Sequence, residues 1–73
     1  MEKVVINSEY ITLVQLLKLV GIVQSGGEGK LFLSEAKIQV NEIDENRRGK
    51  KLYSGDIIEI TGYGMYKIVG AEE

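Results

Sequence analysis

The sequence contains neither cysteine nor histidine. Without cysteine there can be no disulfide, thiolate metal site or thiol nucleophile, and the composition suits a reducing compartment. Without histidine the chain lacks the commonest general base and the commonest metal ligand, which removes most hydrolase chemistry open to a small domain. Carboxylates alone remain for a weakly held magnesium ion. No cofactor, metal centre or catalytic residue is therefore expected. Long apolar runs are missing as well. None approaches the roughly 20 residues of a membrane span, and the N-terminal stretch lacks the basic, apolar, small order of a signal peptide. These deficits point to a soluble, cytoplasmic, monomeric protein with no membrane partner.

At 73 residues the chain makes one domain, 1–73, near the lower size at which a hydrophobic core alone holds a fold. Its net charge of −2 argues at first against a nucleic-acid partner. The distribution says otherwise. Residues 46–55 carry four cations and no acid, whereas the other 63 residues carry five cations against eleven acids. One basic patch on an otherwise acidic surface is the expectation.

Residues 3–6 are mostly β-branched and read as an N-terminal edge or closing strand. Thr12-x-x-Gln15 then fits a capping box, with Ile11 placed as a hydrophobic staple. Leu13, Leu16, Leu17 and Val20 share one helical face, and Gly21 suits the left-handed residue that ends such a helix. The helix should run for about nine residues by this spacing. Ser25-x-x-Glu28 is a second capping box, opening a helix at Gly26 whose Gly29, Phe32, Leu33 and Ala36 lie on one face. The small Gly29 would let the two helices approach closely in a helix-turn-helix-like corner.

From Lys37 the period changes to two, with a strand through Ile38 and Val40 and a turn at Asn41-Glu42. The basic run Asn46-Arg47-Arg48-Gly49-Lys50-Lys51 reads as a loop. A turn at 53–56, a strand at 57–61, a connection at 62–64 and a strand at 65–69 follow, so that a C-terminal hairpin occupies 57–69. Residues 70–73 read as a frayed acidic tail. The predicted class is α+β, with two short helices packed on a small antiparallel sheet.

The ordered series Leu16-Leu17-Lys18-Leu19-Val20-Gly21, Ser25-Gly26-Gly27-Glu28-x-Lys30, Ile38-x-Val40-Asn41, Arg47-Arg48-Gly49-Lys50-Lys51-Leu52 and Gly55-Asp56-Ile57-Ile58-Glu59 resembles the S-four, or alpha-L, RNA-binding domain. It is most similar to the short stand-alone bacterial members. The resemblance covers about residues 10–60 and implies RNA binding on the face made by the second helix and the loops after it. Similar domains are appended elsewhere to RNA-modifying enzymes and tRNA synthetases; here the expectation is an RNA-binding domain without a catalytic one. Two departures stand out. Glu42 replaces the usual glycine after the asparagine, and Gly29 replaces a small residue that is commonly alanine.

As a nucleotide-binding phosphate loop, the stretch 25–30 fails, because G-x-x-x-x-G-K-[ST] would need glycine at Gln24 and Ser or Thr at Leu31. As an RNA phosphate site it is chemically reasonable. The free amides of Gly26, Gly27 and Glu28 would point out of a helix N-terminus beside Ser25, with Lys30 alongside. The bland alternative is a capped helix whose glycines serve packing. Arg47, Arg48, Lys50 and Lys51 suit phosphate oxygens, against the usual fate of a charge run as a solvated loop. Lys18 and Lys37 are lesser candidates, and Gln15 is foremost a cap. Tyr53, Tyr63 and Tyr66 either stack on unpaired bases or fill the sheet and its rim. Asp56 after Gly55 is a turn residue whose carboxylate bonds backbone amides.

The expected partner is structured RNA, ribosomal or transfer RNA, with a ribosomal or other protein partner also open. The rival reading is a protein–protein adaptor docking on a larger nucleic-acid enzyme or ribosome factor, motivated by the net negative charge.

Overall fold

The computed structural model describes residues 1–71. The elements run β1 (Glu2–Ile6), β2 (Tyr10–Thr12), α1 (Leu13–Leu19), α2 (Gly26–Glu35), β3 (Ile38–Val40), β4 (Ile43–Asp44), β5 (Lys51–Tyr53), β6 (Ile57–Ile60) and β7 (Gly64–Gly70). Five strands form one sheet in the order β1-β7-β6-β3-β4, and β2 pairs with β5 in a separate ribbon. The α+β class is as expected. The sheet is mixed, however, because β1 runs parallel to β7, Val4 beside Ile68 and Val5 beside Val69.

Helix α1 begins as its sequence dictates. Thr12 Oγ1 accepts the Gln15 N–H at 3.4 Å and Gln15 Oε1 accepts the Thr12 N–H at 2.8 Å, the reciprocal capping box. Its end is a Schellman turn: Gly21 has φ +81°, its N–H donates to Lys18 O at 3.1 Å, and the Ile22 N–H donates to Leu17 O at 3.0 Å. The helix spans seven residues, shorter than the spacing suggested, because Val20 already serves as its C-cap.

Leu13, Leu16 and Leu17 are completely buried and meet Leu52, Ile58, Ile60 and Ile68 from the strands. The face of α2 that carries Gly29 and Leu33 closes the same core, with Phe32 and Ala36 at its margin. Gly29 is where the helices touch. A Cβ built on it would collide with Val14 Cγ2, so even alanine does not fit unless Val14 shifts. The departure from alanine at this position thus matches a tight helix crossing.

The β3–β4 connection places Asn41 at φ 51° and Glu42 at φ 71°, both left-handed, as a two-residue primed hairpin requires. Glycine would suit the second position better, and Asn41 compensates. Its Oδ1 accepts the Ile57 N–H at 2.9 Å and its Nδ2 donates to Asp56 Oδ1 at 3.0 Å. Asp56 in turn accepts the Tyr53 N–H at 2.8 Å through Oδ2, which is the turn role expected of it.

Two further points differ from the sequence reading. Lys51 belongs to strand β5 rather than to a loop, because its register partner is Thr12 of the unforeseen strand β2. Of the expected tail, Gly70 is the last residue of β7, paired with Ile6, and Ala71 donates to Ile6 O at 2.9 Å. Glu72 and Glu73 lie outside the described residues. Among the described residues no helix is long and apolar enough to cross a membrane.

Candidate nucleic-acid interface

The basic run 46–51 is anchored through its backbone, leaving its side chains to solvent. The carbonyls of Lys50 and Arg48 accept the Leu13 and Val14 N–H groups of α1 at 2.9 and 3.0 Å, and the Lys50 N–H donates to Arg47 O at 3.1 Å. The loop therefore caps α1 with its own main chain. Its cations are held at fixed positions along the N-terminal end of that helix.

Arg47 is further fixed by Glu45. The guanidinium donates through Nε to Oε2 and through Nη2 to Oε1, both at 2.9 Å, and the Arg47 N–H donates to Oε2 at 3.1 Å. The hydrogen bonds from the Arg47 side chain hold the Glu45 carboxyl at about 2, well below its ordinary 4.5, although its partial desolvation pushes the other way. The same pairing raises the Arg47 guanidinium. The Arg47 side chain stays 70% exposed, so the clamp aims the arginine without hiding it.

Lys30, Leu33 and Ser34 of α2 face Asn46, Arg47 and Arg48 across an open groove of about 420 Å³. A neighbouring groove of about 450 Å³ is lined by Arg47, Gly49, Lys50, Lys51 and Tyr53. Arg47 lines both, so the cations from Lys30 to Lys51 form one continuous strip. Of the stretch 25–30, this brings Lys30 beside the basic run.

Other candidates lie apart from the strip. Lys18 lines a shallow groove with Gln15 and Leu19 of α1 and Ile11 of β2. Lys37 lines a separate groove that also holds Glu35, Asp44 and Glu45, an acidic setting for a phosphate contact. Ser25, Gly26 and Gly27 line neither basic groove. Ser25 Oγ accepts the Glu28 N–H at 3.1 Å, and the Glu28 carboxylate accepts the Gln24 N–H at 3.1 Å instead of returning to Ser25. An acid thus already sits at the positive end of this helix, competing with any phosphate there.

Sequence reasoning passed over the part played by four residues. Asn46 and Ser34 complete the groove, and nothing in their type announces it. Glu45 was not singled out, although its place two residues before Arg47 is compatible with a local ion pair. Tyr10 went unremarked because strand β2 did. Of the tyrosines considered, Tyr66 is buried, Tyr63 packs edge-on against Phe32 at 5.5 Å, and Tyr53 packs edge-on against Tyr10 at 5.9 Å.

Two short helices on a mixed sheet, with a cationic loop closing beside the second helix, define a small S4-type module. The S4 domain family model matches residues 4–69, and the chain belongs to that family. The chain is also similar to the probable ribosome maturation protein RlbA of Bacillus subtilis (strain 168). The two are 53% identical over 64 residues, an alignment covering 88% of this chain and 90% of that protein.

Proposed function

We propose that this protein is a non-catalytic, cytoplasmic RNA-binding module that engages structured ribosomal RNA during ribosome maturation, chiefly through phosphate contacts. The observation that carries the reading is the pair of adjoining grooves in which Lys30 of α2 faces Arg47 and Arg48, and Arg47 in turn borders Lys50 and Lys51. Arg47 and Arg48 suit bidentate phosphate contact, and Lys30 adds a point charge across the groove. Backbone anchoring of the loop lowers the ordering cost of binding. Membership in the S4 family and the likeness to a probable ribosome maturation protein support the same partner. Base discrimination is modest, because the strip offers phosphate-binding side chains and few groups suited to base edges.

The test is crosslinking in cells followed by sequencing of bound RNA, with Arg47, Arg48, Lys50 and Lys51 all changed to alanine as control. A ribosomal RNA region enriched by the natural protein and lost in the variant is expected. With about four to six phosphates neutralised, log K should fall against log salt with a slope of roughly −3 to −5, and the variant should lose about 100-fold or more in affinity at low salt. A slope near zero overturns the phosphate mechanism. Absence of RNA, with a co-purifying protein retained by the variant, would favour the adaptor reading.

A further inference from the structure

We infer that the outer face of the β2–β5 ribbon is a stacking platform for one unpaired RNA base, with Tyr53 as the stacking residue and Tyr10 as its support. The inference rests on the RNA-binding reading above and adds a second kind of contact to it. Tyr10 and Tyr53 are direct cross-strand partners, as are Thr12 and Lys51, while Ile11 and Leu52 turn the opposite way into the core. One face of the ribbon is therefore apolar and buried. The other collects two aromatic rings and a cation.

The rings are held in place. Tyr53 meets Tyr10 edge-on at 5.9 Å, and Lys51 Nζ lies 4.8 Å from the centre of the Tyr10 ring. The Tyr53 backbone is fixed from two sides, by its pairing with Tyr10 and by the Asp56 carboxylate on its N–H. Even so, Tyr53 remains 44% exposed, and it lines the groove that also holds Arg47, Lys50 and Lys51. A rigid, half-open aromatic ring bordered by cations is the arrangement with which proteins hold single-stranded nucleic acid, the ring taking a base and the cations the adjoining phosphates. Tyr63 makes a similar ring pair with Phe32, yet neither basic groove includes it.

The occupant is thus a nucleotide flipped or looped out of a duplex, next to the helical RNA whose phosphates lie along Lys30 and Arg48. An RNA hairpin carrying 2-aminopurine in its unpaired loop, compared with a fully paired RNA duplex of equal phosphate count, tests this with the whole protein. The natural protein should bind the hairpin more tightly and quench the 2-aminopurine. Tyr53→Ala should weaken hairpin binding by about 5- to 150-fold. It should weaken duplex binding far less than hairpin binding and leave the salt slope unchanged, because Tyr53 carries no charge, whereas Tyr53→Phe should keep both affinity and quenching. Tyr53→Leu, which preserves apolar packing on Tyr10, covers the case in which alanine unfolds the ribbon and should behave like alanine. Unchanged hairpin binding in Tyr53→Leu, or equal losses on hairpin and duplex, would overturn the platform alone. Failure of the natural protein to bind either RNA would overturn the RNA reading and the platform with it.

Discussion

The two helix starts use nearly the same residues to opposite ends. Both α1 and α2 open with a hydroxyl N-cap and a Gln or Glu three positions later. At α1 the first-turn amides are consumed internally, Leu13 by Lys50 O, Val14 by Arg48 O and Gln15 by Thr12 Oγ1. At α2 only Glu28 and Gly29 find acceptors, both on Ser25, and among the described residues no group of the chain accepts from Gly26 or Gly27. A capping box therefore fixes where a helix begins. It does not decide whether the positive end of that helix is spent on the fold or left to face a ligand; here the next loop in space decides, because the basic run folds over α1 and not over α2.

The glycines of α2 give the largest expected effect on this contrast. An added Cβ at Gly29 runs into Val14 Cγ2, and a valine in a helix has little rotamer freedom with which to yield. Overpacking typically costs about 1–3 kcal/mol, against which alanine regains about 1 kcal/mol of helix propensity. Gly29→Ala should therefore lower the melting temperature by several degrees, at roughly 4–8 °C per kcal/mol for a chain of this size. Adding Val14→Ala should recover part of the loss. A melting temperature that rises in the single variant would show that α1 and α2 are not locked at this crossing.

The caps come next. Thr12→Ala and Ser25→Ala should each cost about 1 kcal/mol in denaturant unfolding. Only Ser25→Ala should alter RNA affinity if the open start of α2 is used. Gly27→Ala gives the smallest stability effect and the sharpest sign. An added Cβ there meets nothing nearer than Ser25 Oγ at 3.9 Å. Stability should rise by a few tenths of a kcal/mol, up to about 1. RNA binding should weaken several-fold where a phosphate approaches the amide. Higher stability with unchanged binding would make the two starts functionally alike, and would leave the basic strip as the whole interface.

What the sequence made legible follows the range of the interactions involved. The Thr12 capping box, the Ser25 N-cap, the buried Leu13, Leu16 and Leu17, the Gly21 stop and the Asp56 turn all depend on neighbours within a few residues and stand where the pattern put them. The return half of the second box does not form, because Glu28 turns to the Gln24 N–H. Strand β2 was not legible because three residues carry no period. It exists only through pairing with β5, about forty positions later. The same distance hid the relation of Tyr10 to Tyr53 and the placement of Lys51 in a strand. The basic run was visible as charge. Its anchoring on α1 was not, because the bonds use main-chain carbonyls that any residue could supply. The meeting of Lys30 with Arg48 required the helix corner, and the family resemblance gave the corner a direction that the spacing alone could not.

The Glu45–Arg47 clamp sharpens the comparison at the α1 start, because it holds the loop whose carbonyls close that helix. Glu45 titrates at about 2 in the folded protein against an ordinary 4.5, and a depressed carboxyl stabilises the fold above its unfolded value. That contribution is complete above about pH 4.5 and is lost as the pH falls from there towards 2. Carboxyl chemical shifts followed by NMR should give a Glu45 midpoint near 2 at low salt. The exposed Arg47 makes the pairing open to screening, so the midpoint should climb towards the ordinary value in about 1 M salt. The amides of Leu13 and Val14 report the consequence. If they shift together with Glu45, the clamp orders the loop that closes α1, and the closed helix start depends on it. If Glu45 titrates while those amides stay still, the Arg48 and Lys50 carbonyls hold α1 unaided, and the clamp serves only to aim Arg47 into the basic strip.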